Sequence, residues 1–229
     1  MLATTWSSND SYQCSIGDTT LEGSIMQFTM HYDGPLRSNG SPLEKHKIRQ
    51  AFHPQLKLHW QHDPWLSKIA DTDITVFNEG TAEESEIEAV KYISMRYSRR
   101  GYRFVPLVNG DMSLVCALKI EFFRRSSPGE LIRHGGDIDN RLKTLFDALS
   151  MPQEDNQIGK DWEPLSDEKP FFCLLENDAL ITGFCVDTKR LLTPPRIGDG
   201  RDDVYLSIEV SVKATQATKH NVGFSLHYS

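Results

Sequence analysis

The chain has 229 residues, which is enough to bury a substantial core as one domain with insertions or as two small domains. Hydrophobic residues make up 38% of it and charged residues 25%, a balance that excludes a disordered or fibrous protein. No apolar run approaches the roughly 18 residues that a membrane-spanning helix needs, so we expect no membrane partner. The N-terminus resembles neither a secretory signal nor an Arg-rich transit peptide, so a cytoplasmic location is the default expectation.

The charges are unevenly distributed along the chain. The formal net charge is −7, which argues against a protein whose whole surface attracts nucleic acid. Residues 95–143 carry ten basic and five acidic residues, a net of +5. Residues 150–210 carry six basic and thirteen acidic residues, a net of −7. The chain is therefore electrically polarised along its length.

The N-terminal third contains an arm, a strand and helices. Residues 1–22 are rich in Ser, Thr and Asn without a sustained period and are predicted to form a loose arm, followed by a single domain over residues 23–229. A first strand is predicted over residues 25–31. Ser41, with Pro42 and Glu44 after it, predicts a helix from there to about residue 53. One or two further short helices are expected before residue 71, interrupted by Pro64.

The remaining elements alternate between helices and strands. Thr81 followed by Glu84 looks like a capping box and predicts a helix to about Tyr97. Segments rich in Val, Ile, Phe and Tyr predict strands over residues 102–108, 112–123, 179–187 and 204–212. Asn109-Gly110 between the first two of these strands predicts a hairpin turn. The fold class is therefore predicted to be α+β, with segments 38–98 and 152–170 as insertions.

Residues 135–149 are the most informative stretch for function. Gly135 and Gly136 allow a tight turn, and Asp137 or Asp139 can cap the helix that follows. Five apolar residues fall within an arc of about 100° on that helix: Ile138, Leu142, Leu145, Phe146 and Leu149. A polar stripe lies beside this arc and consists of Asp139, Lys143 and Asp147.

Asp137 and Asp139 are candidate ligands for one metal ion. Carboxylates at i and i+2 face the same way only when the backbone through them is extended, so we predict that the helix begins just after Asp139. Carboxylate oxygens suit Mg²⁺ or Mn²⁺, and Lys143, one turn further on, would contact a phosphate bound to that metal. Spacing alone favours an ordinary solvated helix, stabilised by about 0.2–0.5 kcal/mol per charge pair.

The pattern D-x-D-N-x-x-K-x-x-x-D-x-L over residues 137–149 resembles the signature of the RusA family of Holliday-junction resolvases. In that family a further acidic residue lies just before a strand, and Glu176-Asn177-Asp178 matches this arrangement. The resemblance covers residues 112–212 well and the first strand weakly. It implies a RusA-like mixed sheet packed with helices, with a helical insertion after the first strand. Segments 38–98 and 152–170 and the negative net charge depart from the compact members of the family.

The resemblance implies a Mg²⁺-dependent, structure-selective endonuclease that hydrolyses phosphodiester bonds in branched DNA such as Holliday junctions, with Mn²⁺ as a substitute. It makes Asp137, Asp139 and Asp178 the metal ligands and Lys143 the catalytic cation. It also implies a homodimer, because two symmetric nicks across a four-way junction call for two active sites. Asp147 is interpreted as structural, because it lies one turn beyond the others, where it could pair with Lys143.

Two further expectations concern binding. Five arginines of the basic region are candidates for contacts with DNA phosphates: Arg99, Arg100, Arg103, Arg124 and Arg125. The alternative to an enzyme is a non-catalytic RusA-like module that binds nucleic acid or a protein through its inserted helices. This alternative predicts no nicking of any branched substrate in Mg²⁺ or Mn²⁺.

Overall fold

A computed structural model describes residues 26–77, 84–125, 137–194, 200 and 202–216. The predicted arm over residues 1–22 lies outside this part of the chain. The helices within it are α1 (Pro42–His62), α2 (Pro64–Ala70), α3 (Ala89–Arg96) and α4 (Asp137–Leu149). The strands are β1 (Met26–Pro35), β2 (Asp73–Phe77), β3 (Glu84–Glu88), β4 (Ser98–Arg99), β5 (Tyr102–Val108), β6 (Leu114–Arg124), β7 (Phe171–Leu175), β8 (Ile181–Arg190) and β9 (Asp203–Ala214). The predicted α+β class is confirmed.

The strands form two mixed sheets and a hairpin. The larger sheet has the order β1-β9-β6-β8, in which β9 is antiparallel to both neighbours and β8 is parallel to β6. The smaller sheet has the order β4-β5-β7, with β5 and β7 parallel. Strands β2 and β3 pair antiparallel. None of the helices in the described ranges is long and apolar enough to cross a membrane.

The main core lies between one face of the larger sheet and helices α1 and α4. Strand β9 alternates strictly, and every second residue is buried at 0–1% exposure: Val204, Leu206, Ile208, Val210 and Val212. Helix α1 adds Ile48, Phe52, Leu56 and Trp60 to the same cluster. Helix α1 belongs to the segment predicted as an insertion, and its buried face is nevertheless part of the same hydrophobic core as the sheet.

The structure corrects the predicted end of the first helix. The sequence predicts its end near residue 53, but α1 continues through Pro54 to His62. A proline inside a helix removes one backbone hydrogen bond and costs about 3 kcal/mol or more. Burial of Leu56 and Trp60, each 1% exposed, offsets that cost, because a fully buried large apolar side chain contributes about 1.5–3 kcal/mol.

Two predictions between residues 81 and 114 are wrong. Glu84–Glu88 forms β3 rather than helix, and the helix begins only at Ala89; Thr81 lies outside the described residues. Asn109-Gly110 makes a turn but not a hairpin, because β5 pairs with β4 and β7 whereas β6 pairs with β9 and β8. The hairpin lies instead between β4 and β5. Its turn residues, Arg100 and Gly101, have φ of 44° and 82°, as a two-residue type I′ turn requires.

Candidate functional site

The polar stripe of α4 lies at the surface, as predicted. Asp139 and Lys143 are exposed and Asp147 is partly buried, whereas Leu142, Leu145 and Leu149 on the opposite side are 7%, 0% and 1% exposed. The periodicity of apolar residues therefore fixes which face of the helix packs on the core. It leaves the charged side chains of the motif available to a ligand.

The predicted start of α4 is wrong. The helix begins at Asp137 rather than after Asp139. Residues at i and i+2 of an α-helix are about 200° apart around its axis, so the argument from an extended backbone does not bring these two carboxylates together. The side chain of Asp137 lies outside the described residues.

Asp178 lies on a turn that packs against α4. Strand β7 ends at Leu175, and Asn177 caps a short 3₁₀ turn, Asp178–Leu180, by accepting a hydrogen bond from the backbone N–H of Ala179 at 3.1 Å. This turn contacts α4, and Leu180 packs onto the main core. Strand β8 begins at Ile181, so the predicted sequence of acidic residue and then strand is confirmed.

The pocket beside this turn is lined by both Asp178 and Asp147, whereas Asp139 is not among the described residues of its lining. Asp178, Asp147, Lys45 and Arg49 all line it. Asp139 lies eight residues before Asp147, about 12 Å along the helix axis, and Lys143 lies halfway between them. Asp178 and the C-terminal end of the polar stripe therefore line the same pocket.

Helix α1 supplies two basic residues that the sequence analysis missed. The Nζ of Lys45 lies 2.7 Å from Oδ2 of Asp147, so Asp147 pairs with Lys45 and not with Lys143 as predicted. Arg49 donates from Nε to the carbonyl of Ser150 and from Nη2 to that of Asp147, both at 2.7 Å. Lys45 and Arg49 are four residues apart on a predicted helix, but nothing local in the sequence indicates partners about a hundred residues away.

Arg49 is buried at the C-terminal end of α4. Its side chain is only 3% exposed, and its Nη1 has no hydrogen-bond partner among the residues that the structure describes. Burial lowers the pKa of Arg49 to about 10, and the charge remains at neutral pH. Because the free carbonyls at a helix C-terminus carry partial negative charge, this guanidinium both caps α4 and complements its dipole. Arg49 therefore holds the motif helix against α1.

The charge and ligand chemistry of the predicted metal set fit a hard divalent cation. All three residues carry carboxylate oxygens, which Mg²⁺ and Mn²⁺ prefer. Among the residues whose side chains the structure describes, no three Asp, Glu, His or Cys come together as a metal site. The side chain of Asp137 lies outside the described residues, so the metal site formed by Asp137, Asp139 and Asp178 remains a prediction.

Glu176, next to Asp178, is tied to the neighbouring helix. Its Oε2 accepts hydrogen bonds from the backbone N–H of Gly110 at 2.8 Å and from the hydroxyl of Tyr97 at 3.4 Å. The same hydroxyl also donates to Asp111 at 3.0 Å. Burial first, and then the carboxylates of Glu176 and Asp111, raise the pKa of Tyr97, so the hydroxyl keeps its proton at neutral pH. These contacts anchor the loop that carries Asp178.

The five arginines predicted to contact phosphates differ in exposure. Arg100 and Arg103 are exposed and Arg99 is partly exposed, and all three lie on or beside the β4–β5 turn. Arg125 is partly exposed and donates to the carbonyls of Thr193 and Pro194. Arg124 is only 8% exposed, so its guanidinium is not presented to a ligand at the surface.

Comparison with known proteins adds no assignment: no protein-family model, no curated protein and no solved structure matches the chain. The motif and the geometry of the site are therefore the only basis for assigning a function.

Proposed function

We propose that the chain is a Mg²⁺-dependent, structure-selective endonuclease of branched DNA, similar to the RusA family. The observation that supports this most directly is the packing of the turn that carries Asp178 against α4, the helix that carries the motif. The motif residues Asp139 and Lys143 lie exposed on that same helix. We propose further that the protein acts as a cytoplasmic homodimer, since two nicks across a junction call for two active sites.

Each residue has a distinct role in this proposal. Asp137, Asp139 and Asp178 would hold the metal ion, which when bound lowers the pKa of an attacking water and neutralises charge on the scissile phosphate. Lys143 would place a positive charge next to the same phosphate and stabilise the charge that develops in the transition state. Lys45 and Arg49 do not take part in the reaction, because their contacts are to Asp147 and to the C-terminal end of α4. They hold the helix in place.

The test uses labelled four-way junction, replication fork and linear duplex, each incubated with Mg²⁺, with Mn²⁺ and with EDTA. We expect nicking of the branched substrates only, and none in EDTA. Asp139→Asn and Asp178→Asn should abolish nicking while leaving junction binding largely intact. Asp161→Asn, which neutralises an exposed carboxylate in segment 152–170, is the matched control and should cleave normally. Cleavage at the wild-type rate by Asp139→Asn or Asp178→Asn would contradict the proposal.

A non-catalytic module that binds nucleic acid or protein is the second candidate. It is favoured by the helical backbone at Asp137 and by the separation of Asp139 from the pocket that holds Asp178. This candidate predicts that the wild-type protein binds a partner but nicks none of the three DNA substrates in either metal. The same incubation therefore separates the two candidates.

A further inference from the structure

A groove lined by cationic side chains lies between α3, the β4–β5 turn and the residues just before β7. It has a volume of about 360 Å³ and is lined by Glu88, Val90, Lys91, Ser94, Gly101, Arg103, Lys169 and Pro170. Lys91, Arg103 and Lys169 are exposed, and none of the three forms an ion pair with any residue in the described ranges. Among the described residues of its lining Glu88 is the one acidic residue, so these residues give this cationic groove a net charge of +2 on a chain whose total is −7.

We propose that the cationic groove binds the phosphate backbone of a DNA arm. Unpaired basic residues attract a polyanion because binding releases the counterions condensed on it. Local charge decides such an interaction, because charges further apart than a Debye length of about 8 Å are largely screened at physiological salt. This inference deepens the proposed function, since it adds the surface that would hold the substrate of that reaction.

The position of the groove relative to the candidate site supports this assignment. Lys91 lies on α3, about 7.5 Å along the axis from Arg96 at its end, and the next residue, Tyr97, contacts Glu176 beside Asp178. On the other side, the Nε of Arg100 lies 3.9 Å from Oδ2 of Asp155, at the start of the 3₁₀ turn Asp155–Gln157. Gln157 lines the pocket that contains Asp178. A strand held in the cationic groove would therefore leave it towards the pocket that contains Asp178.

The residues that line the cationic groove are better suited to the phosphate backbone of DNA than to a single small anion or the edge of a base. The three cations come from three separate segments, α3, β5 and the residue before Pro170, so they are suited to successive phosphates. The hydroxyl of Ser94 is already used, because it donates to the carbonyl of Lys91 at 2.7 Å. The described residues of the lining include no Asn or Gln that could read an adenine edge, and contacts from Lys and Arg to phosphates carry no sequence information. Binding through contacts to phosphates should therefore be independent of base sequence.

The experiment compares two double variants of equal charge change. Lys91→Gln with Lys169→Gln removes two lysines from the groove, whereas Lys47→Gln with Lys119→Gln removes two exposed lysines from α1 and β6. Fluorescence anisotropy measures the Kd for labelled junction and duplex in EDTA over a salt series. Each lost duplex phosphate contact lowers the slope of log Kd against log salt by about 0.9. We expect a slope lower by roughly 2 for the groove variant and unchanged for the control variant. Arg103→Gln should lower it by about 1.

Each outcome bears on one of the two proposals. Equal effects of the two double variants, or no change in either slope, would overturn the assignment of the groove. Binding of a phosphorylated peptide or heparin without binding of DNA would overturn it too. DNA binding that depends on the groove, with no nicking in Mg²⁺ or Mn²⁺, would support the groove and contradict the nuclease. Circular dichroism melting of all variants controls for folding.

Discussion

The ammonium of Lys45 lies 2.7 Å from a carboxylate oxygen of Asp147, and this contact joins two helices whose paired residues are 102 positions apart in the sequence. Their side chains are 26% and 30% exposed, so the pair is partly shielded from solvent. Together with the contacts of Arg49, it attaches the motif helix to α1. The position of the polar stripe of α4 therefore depends on α1. This helix lies outside residues 112–212, which the RusA resemblance covers well.

A double-mutant cycle tests what this pair contributes. Lys45→Met, Asp147→Asn and the double variant should show a coupling of less than about 1 kcal/mol in the free energy of unfolding, because partly exposed pairs contribute little. Urea denaturation measures it. Asp147→Asn should still nick junctions within about tenfold of the wild-type rate, because its role is to pair with Lys45. An Asp147→Asn protein as inactive as Asp178→Asn would instead assign Asp147 to the reaction.

Arg49 should matter more for stability than Lys45. Replacement by Met removes two hydrogen bonds from a charged donor and leaves the carbonyls of Asp147 and Ser150 without that partner. We expect a loss of about 2–4 kcal/mol in the free energy of unfolding. Lys47→Met, at an exposed position on the same helix, is the matched control and should change it by less than about 0.5 kcal/mol. If Arg49→Met and Lys47→Met lowered the free energy of unfolding equally, the contacts of Arg49 with the C-terminal end of α4 would contribute nothing to stability.

The sequence predicts well those features that are determined by the spacing of residues within a single helix or strand. The apolar arc of α4 is encoded by the spacing of Leu142, Leu145 and Leu149, and all three are buried as expected. The same periodicity places Asp139 and Lys143 at the surface. A pattern within one helix is enough for both statements, because the geometry of an isolated helix already determines which residues share a face.

The elements that sequence predicts badly are decided by distant partners. Asn109-Gly110 has the composition of a hairpin turn, but β5 and β6 find their partners in different sheets. Strand β7 is not among the predicted strands, although Phe171–Leu175 is an uninterrupted apolar run, which is typical of a buried parallel strand. In the same way, the partner of Asp147 could not be found from its neighbours on α4, because Lys45 comes from α1.

The stability of the protein should fall between about pH 6.5 and pH 4 because of His46. Burial first, and then the nearby charge of Arg49, lower the pKa of His46 from 6.5 to about 4. Between these values the unfolded chain binds a proton that the folded one does not, so this contribution is complete above pH 6.5 and is lost as the pH falls towards 4. The loss amounts to about 3 kcal/mol.

His46→Phe tests this contribution because it keeps an aromatic ring between Trp162 and Tyr102, whose ring centroids lie 4.8 and 5.4 Å from that of His46. Urea denaturation as a function of pH should show a shallower profile for this variant, with a residual slope because burial also lowers the pKa of His59. His62→Gln, at an exposed histidine of the same helix, is the control and should follow the wild-type profile. An unchanged profile for His46→Phe would contradict the prediction.

Gly40 is required by a close approach to α4, and this requirement can be tested by a compensating change. The backbone N–H of Gly40 donates to Oγ1 of Thr144 at 2.9 Å, and a Cβ at position 40 would lie 2.7 Å from Cγ2 of Thr144. Thr144 is 1% exposed and has no room to move away, so Gly40→Ala should destabilise the protein by about 1–3 kcal/mol. Thr144→Ser removes Cγ2 but keeps the hydroxyl that accepts the hydrogen bond. The double variant should therefore be more stable than Gly40→Ala alone, as measured by urea denaturation. If Thr144→Ser gave no rescue, the destabilisation would have a cause other than this contact.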